Sequence, residues 1–149
     1  ANMEVLDPEH SGINLFDNNW KIYSRNSGMT GHKISASADV HDSMITDGCR
    51  IRGTVKHSVL FAGVKVAEGA VVEDAVVMGG TTIERGAVVR HCIIAENVTI
   101  KENAVVGAMP EGDEHGVATV GSGITIGEGA VIGPKAMVRN NVEGGEEQW

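Results

Sequence analysis

Aliphatic residues recur along this chain at a spacing that fits neither a helix nor an ordinary strand. Residues 57–73, 74–90 and 91–107 align without a gap at a period of 17 residues. The positions that are aliphatic in every repeat are Leu60, Val77 and Ile94, then Val66, Ile83 and Ile100, then Val72, Val89 and Val106. Within a repeat these positions lie six, six and five residues apart, too far for one helical face and too sparse for strand alternation. The period predicts a three-sided coil with one turn per repeat.

A shorter pattern lies within each repeat: an aliphatic residue, two variable residues, Gly or Asn, and then a small residue. It occurs at residues 66–70, 83–87, 100–104 and 126–130, and two further copies carry Ser37 and Lys135 in the glycine place. Each side is therefore predicted to be a short strand followed by a corner that needs a positive φ, which Gly adopts freely and Asn tolerates. The residues predicted to form a second set of corners are Gly48, Gly63, Gly80, Asn97 and Gly123.

The pattern resembles the hexapeptide repeat of the left-handed parallel β-helix. We therefore expect an all-β fold of five to six coils between Ile34 and Val138, with the left hand taken from the resemblance. Residues 1–33 form a predicted linker or capping segment, residues 34–139 the β-helix, and residues 140–149 an acidic tail. Residues 107–119 are long, polar and acidic, which predicts a loop extruded from one coil.

Net charge, hydropathy and cysteine count argue against several classes of function. The formal charge of −8, from 12 basic and 20 acidic residues, argues against a nucleic-acid binder that tracks phosphates. No apolar run is long enough to span a membrane, and the N-terminus carries no export signal, so we expect no membrane partner. Two cysteines, Cys49 and Cys92, are too few for a disulfide framework and fit buried, unbridged thiols in a reducing, cytoplasmic compartment.

Aromatic residues concentrate before the repeats. Phe16, Trp20 and Tyr23, together with Ile22, lie in a short stretch of the N-terminal segment. The first coil of a solenoid exposes an apolar cross-section, which a neighbouring segment must cover. These side chains are suited either to cap that coil or to dock on a neighbour outside this chain, and the residues leave both alternatives open.

Three segments carry a more specific resemblance. Residues 15–25 (LFDNNWKIYSR), 42–49 (DSMITDGC) and 53–61 (GTVKHSVLF) look like the C-terminal part of bacterial glucose-1-phosphate adenylyltransferase, or of its non-catalytic paralogue in glycogen biosynthesis. The resemblance implies that a separate N-terminal nucleotidyltransferase domain makes ADP-glucose and pyrophosphate from ATP and glucose 1-phosphate with Mg²⁺. It also implies that the β-helix helps to build a tetramer and shares an effector cleft with the catalytic domain.

This chain has no Gly-rich phosphate loop followed by Arg, and it begins at Ala1, which suggests a piece of something larger. We therefore expect no catalytic residue, no metal ligand and no cofactor in it, and no turnover from it alone. The expected partners are its own N-terminal catalytic domain, other subunits of a tetramer and a phosphorylated-sugar effector. Whether the parent is the enzyme or the paralogue stays open, because the distinguishing residues lie in the catalytic domain.

Four basic residues are candidate ligands for an anionic effector: Arg25, Lys33, Arg50 and Arg52. Arg50 and Arg52 flank an inward Ile51 and should project outward together, although exposed basic residues are commonly just solvated. The acidic Glu96 stands where some relatives carry a basic effector ligand, which counts against the same binding mode. For Arg85 and Arg90, surface pairing with Glu84 and Glu73 is the expectation.

Two other classes of function match parts of the sequence. Many hexapeptide proteins are acyltransferases in which a loop His acts as general base, and His115 lies in the extruded loop. Some β-helical carbonic anhydrases bind a metal through three imidazoles, and His57 and His91 share a repeat position with Asp74 between them.

Overall fold

A computed structural model describes residues 2–23, 25–112 and 116–149. A 3₁₀ helix, η1 (Asn2–Leu6), and a four-residue helix, α1 (Pro8–Ser11), come first. The strands that follow are β1 (Lys33–Ile34), β2 (Asp39–His41), β3 (Met44–Ile45), β4 (Arg50–Ile51), β5 (Thr54–Lys56), β6 (Val59–Leu60), β7 (Lys65–Val66), β8 (Val71–Val77), β9 (Thr82–Ile83), β10 (Val88–Ile94), β11 (Thr99–Ile100), β12 (Val105–Val106), β13 (Ala118–Val120), β14 (Thr125–Ile126), β15 (Val131–Ile132), β16 (Met137–Val138) and β17 (Glu147–Gln148). No helix within the described ranges is long and apolar enough to cross a membrane.

All the strand pairs are parallel and stack in register, which gives a β-solenoid of about seven turns. Side one holds β1, β4, β7, β9, β11 and β14 in that order. Side two holds β2, β5, β12, β15 and β17, together with the first half of β8 and the first half of β10. Side three holds β3, β6, β13 and β16, together with the second half of β8 and the second half of β10. The predicted all-β parallel β-helix is confirmed.

The predicted aliphatic columns fill the interior. Ile51, Val66, Ile83, Ile100 and Ile126 stack on side one, and each is at most 1% exposed. Burying one such side chain contributes roughly 1.5–3 kcal/mol, so the columns are the main source of stability. Because parallel stacking places equivalent residues of successive turns above one another, the aliphatic positions of the 17-residue repeat become the columns of the core.

Each turn has three corners, and positive φ recurs at all three; Ser37, predicted to take the glycine place on the first turn, does not have a positive φ. The predicted glycine and asparagine corners are confirmed, with φ from 56° at Asn97 to 76° at Gly69, and Lys135 takes the glycine place at φ 69°. The third set of corners was not predicted. It consists of Asp42, His57, Asp74 and His91, with φ between 42° and 51°.

The solenoid runs one turn beyond the predicted five to six. Val142 bridges Ile126 on side one, and β17 pairs with β15 on side two. Residues assigned to an acidic tail therefore form most of a seventh turn. Trp149 ends it against Gly133, where a Cβ would overlap the indole ring.

Both cysteines are free and buried, as predicted, with Cys49 0% and Cys92 2% exposed. Cys49 follows the corner residue Gly48 and Cys92 follows His91, so each points inward at a different corner. Desolvation by burial raises the pKa of both thiols, and the Asp74 charge raises that of Cys92 further. The loop between β12 and β13 contains residues 113–115, which lie outside the described residues.

Candidate functional site

The outer face of side one carries a column of basic residues on its first three turns. Lys33 pairs in register with Arg50, and Arg50 with Lys65, on the neighbouring strands β1, β4 and β7. The next residue in β4 and in β7, Ile51 and Val66, points into the core, so by strand alternation the basic side chains point outward. The backbone repeat thus places three positive charges one above another.

Arg52 adds a fourth charge beside this column. Lys33, Arg50 and Arg52 line a groove of about 390 Å³ together with the backbone around Thr30 and Gly48. Arg50, Arg52 and Lys65 line a second groove of about 410 Å³ on the same face. Three of the four predicted anion ligands therefore lie together, and Arg25 lines neither groove. That they bind an anion stays a prediction.

Lys65 was missed as a member of this group. It precedes the aliphatic anchor Val66 just as Lys33 precedes Ile34 and Arg50 precedes Ile51. Aligning the residue before each anchor across the turns would have found it, because equal positions stack in a parallel solenoid.

The basic group differs from Arg85, Arg90 and Lys101 in having no ion pair among the described residues. Within the described residues, none of Lys33, Arg50, Arg52 and Lys65 lies within ion-pair distance of a carboxylate. Three other cations pair along the stack, in Arg85–Glu68 at 3.5 Å, Arg90–Glu73 at 3.1 Å and Lys101–Glu84 at 3.1 Å. Arg90 has its predicted partner. The prediction of Glu84 for Arg85 is wrong, because each pair joins residues 17 apart on adjacent turns.

The third corner brings histidines and aspartates together. His57 Nδ1 lies 2.7 Å from the Asp42 carboxylate, and His91 Nδ1 is hydrogen-bonded to the Asp74 carboxylate. Each histidine thus has one carboxylate partner on the turn before it. Among the described residues, no group of three His, Cys, Asp or Glu side chains could hold a metal ion. His115, the candidate base of an acyltransferase, lies outside the described residues.

The N-terminal segment lies against the outer face of side three. Val5, Leu6, Leu15 and Phe16 line a groove of about 670 Å³ with Met44 of β3. On the strands stacked next to β3, the outward Val59 and Val76 are only 4% exposed, so this face is covered.

The aromatic stretch itself is not packed. Phe16 is 74%, Trp20 78% and Tyr23 85% exposed. Further apolar side chains on the later turns of side three, among them Ile93 and Met137, are also exposed. A cap would bury these rings, so their exposure favours docking on a neighbour outside this chain.

The repeats match a known family over most of their length. A family model described as GlmU-like, C-terminal hexapeptide, matches residues 28–127, about two thirds of the chain. The chain belongs to this family. The match begins just before β1 and ends one residue after β14, so it covers all six strands of side one.

The curated relatives of this hexapeptide chain include enzymes named glucose-1-phosphate adenylyltransferase. It is 48% identical over 73 residues to glucose-1-phosphate adenylyltransferase of Geobacillus stearothermophilus, which is 49% of this chain and 19% of that protein. It is 51% identical over 75 residues to the enzyme of the same name from Bacillus mycoides, 50% of this chain and 20% of that protein. The matched segment spans about a fifth of the length of these relatives.

Solved hexapeptide structures are more distant. A mutant of perosamine N-acetyltransferase from Caulobacter crescentus, in complex with CoA and GDP-perosamine, is 20% identical. The alignment covers 77% of this chain and 51% of that one, with a TM-score of 0.39. A likeness at this level carries no argument about function.

Proposed function

We propose that this chain is the C-terminal β-helix domain of a glucose-1-phosphate adenylyltransferase subunit of glycogen biosynthesis. The observation that carries the proposal is the identity of about half of the aligned residues to two enzymes of that name. In this proposal, a separate nucleotidyltransferase domain converts ATP and glucose 1-phosphate to ADP-glucose and pyrophosphate in the cytoplasm. That domain holds ATP and Mg²⁺, and the β-helix takes part in assembly and regulation.

The unpacked surface supports a contact with that catalytic domain. Large rings such as Trp20 and Tyr23 stand almost fully in solvent, and Ile93 and Met137 on the later turns of side three are exposed as well. Several large apolar side chains left exposed in this way are typical of an interface with another domain or protein. The aromatic stretch would then join the two domains and bury its rings between them.

The groove lined by Lys33, Arg50 and Arg52 is the proposed site for a phosphorylated-sugar effector, because Glu84 and Glu102 also line the second groove. Arg50 and Arg52 have no carboxylate partner within the described residues, so their guanidinium groups are available to a phosphate. Lys33 and Lys65 add charge on either side of them.

The proposal is tested on the protein with whatever coding sequence lies upstream of Ala1. We expect that sequence to encode a nucleotidyltransferase domain, and the longer protein to form ADP-glucose from ATP and glucose 1-phosphate with Mg²⁺. The 149-residue chain alone should form none. An intact Gly-rich nucleotide loop would identify the enzyme and a degraded one the non-catalytic paralogue.

A second assay guards against the acyltransferase alternative. Acetyl-CoA and a panel of amino sugars are incubated with the 149-residue chain and with its His115→Ala variant. We expect no acetyl transfer by either. Transfer by the parent chain that His115→Ala abolishes would contradict the proposal.

A further inference from the structure

The proposed effector groove is formed in part by chain that precedes the first strand. Thr30 and Gly31 line this groove of about 390 Å³ together with Lys33, Arg50 and Arg52. The three basic residues lie in or beside β1 and β4, and the register of these strands fixes their positions. Thr30 and Gly31 lie before β1, so no strand pairing holds them. Another contact must therefore keep them beside the cations.

One backbone hydrogen bond joins this segment to the stack. The Gly48 N–H donates to the Thr30 carbonyl oxygen at 2.7 Å, and within the described residues no other backbone hydrogen bond joins residues 25–31 to the strands or corners. One turn further on, the Gly63 N–H donates to the Asp47 carbonyl oxygen at 3.0 Å. Thr30 thus occupies the position that Asp47 has on the next turn, at the end of this ladder.

The Met29 side chain covers two of the glycine corners. A Cβ at Gly48 would lie 2.5 Å from Met29 Sδ, and a Cβ at Gly63 would lie 3.1 Å from Met29 Cε. The methionine thus extends across two successive turns, and a larger corner residue would displace it. At the following corner the Asn97 amide oxygen lies over Gly80 in the same way. The glycines therefore supply positive φ and also the space in which these side chains lie.

We propose that Met29 is a positioning residue for the anion groove, an inference that rests on the effector site proposed above. Its side chain holds Thr30 and Gly31 against the corner, and the groove keeps its shape only while this contact is made. Methionine suits this role because its unbranched, flexible side chain can follow both corners. Met29 is bonded directly to Thr30, so displacing the thioether also displaces the carbonyl that accepts the hydrogen bond from Gly48.

Nothing else in the neighbouring segment replaces this contact among the described residues. The Gly28 N–H donates to Asn26 Oδ1 at 2.9 Å, and the Met29 N–H donates to Ser27 Oγ at 3.3 Å. Both bonds lie within the segment and do not attach it to the stack. Without the thioether, the segment should therefore leave the corner for part of the time. The apparent dissociation constant of an anion then rises by the inverse of the fraction of molecules in which the groove is complete.

The test is isothermal titration of the 149-residue chain with tripolyphosphate at about 0.05 M NaCl. The wild-type chain should bind, and Arg50→Ala/Arg52→Ala should bind much more weakly, which assigns the site. Met29→Ala should raise the dissociation constant about tenfold. Met29→Leu keeps an apolar side chain of similar volume and should stay within about threefold of the wild type.

Amide hydrogen exchange, followed by NMR, reports the contact itself. In Met29→Ala the Gly48 amide, which donates to Thr30, should exchange about tenfold faster, whereas the Gly63 amide inside the ladder should not change. The matched control is Met137→Ala, which removes an exposed methionine on side three. It should change neither the binding of tripolyphosphate nor the exchange of the Gly48 amide.

The possible results separate the positioning role from the effector site. A wild-type chain that binds no tripolyphosphate contradicts both. If the wild-type chain binds and Met29→Ala binds equally well, the effector site stands and the positioning role is wrong. The role is also wrong if the affinity falls while the Gly48 amide stays protected, or if faster exchange leaves the affinity unchanged. ADP-glucose synthesis by the longer protein is judged separately.

Discussion

The glycine corners and the corner formed by Asp42, His57, Asp74 and His91 (the Asp–His corner) both have a positive φ, but different residue types stabilise it. At Gly69 and Gly86 the φ values are 76° and 69°, which glycine adopts without strain because it has no Cβ. At His57 and His91 φ is 43°, a region that costs most L residues roughly 1–2 kcal/mol. There the side chain bonds to an aspartate on the preceding turn, which offsets the strain. Positive φ recurs at the corners of the solenoid, and a residue whose side chain is hydrogen-bonded can adopt it in place of glycine.

The largest effect should come from a glycine that needs both its φ and its space. Gly107 precedes the third corner on turn five at φ 72°, and a Cβ there would overlap the carbonyl oxygen of Arg90. We expect Gly107→Ala to lower the free energy of unfolding by about 2–4 kcal/mol. Gly129→Ala, at φ 65° with open space around it, should cost only about 1 kcal/mol. Urea unfolding followed by circular dichroism measures both, and equal losses would contradict the distinction.

A smaller effect should follow loss of the side-chain bond at the third corner. Asp74→Ala removes the carboxylate that holds His91 and places a residue without a local hydrogen bond at φ 51°. We expect a loss of about 1–2 kcal/mol. Asp74→Asn keeps an acceptor and a residue that tolerates this φ, so it should lose less than about 0.5 kcal/mol. Thermal unfolding of both variants tests this, and an Asn variant as unstable as the Ala variant would show that the bond does not offset the strain.

The reaction rates of the two buried thiols compare a glycine corner with the Asp–His corner and need no change in stability. Cys49 follows a glycine corner and Cys92 an Asp–His corner. Because burial raises the pKa of both thiols, little thiolate forms at pH 8, and both should react with a disulfide reagent about 100-fold more slowly than in urea. Cys92 should be the slower, because backbone hydrogen bonds partly lower the pKa of the Cys49 thiol and nothing lowers that of the Cys92 thiol. Cys49→Ala and Cys92→Ala assign the two rates, and faster labelling of Cys92 would contradict the ordering.

The sequence alone was sufficient to predict the coil, the aliphatic columns and the glycine corners. It was sufficient because a parallel solenoid repeats one environment in every turn, so each structural position leaves a periodic trace. The Asp–His corner left such a trace as well, in Asp42, His57, Asp74 and His91. It was not recognised as a corner because these residue types are less specific for positive φ than glycine.

The candidate site was predicted in part. Lys33, Arg50 and Arg52 were selected as charged residues near the first coils, and the structure places them on one face. Lys65 belongs with them, and Arg25 lines neither groove of that face. The difference arises because Lys65 follows the register of the strands, whereas Arg25 lies before the first strand, where no repeat fixes its position.

Within one chain, the 17-residue period determined which residues are inside, which form the glycine corners and how the strands stack, because each of these depends on local geometry repeated along the axis. The tertiary structure decided what the outer faces carry. It showed which cations have a partner on the adjacent turn, that the aromatic rings remain in solvent, and that the final acidic residues extend side one. Such contacts join residues a full turn or more apart, so they depend on the exact register and length of the stack.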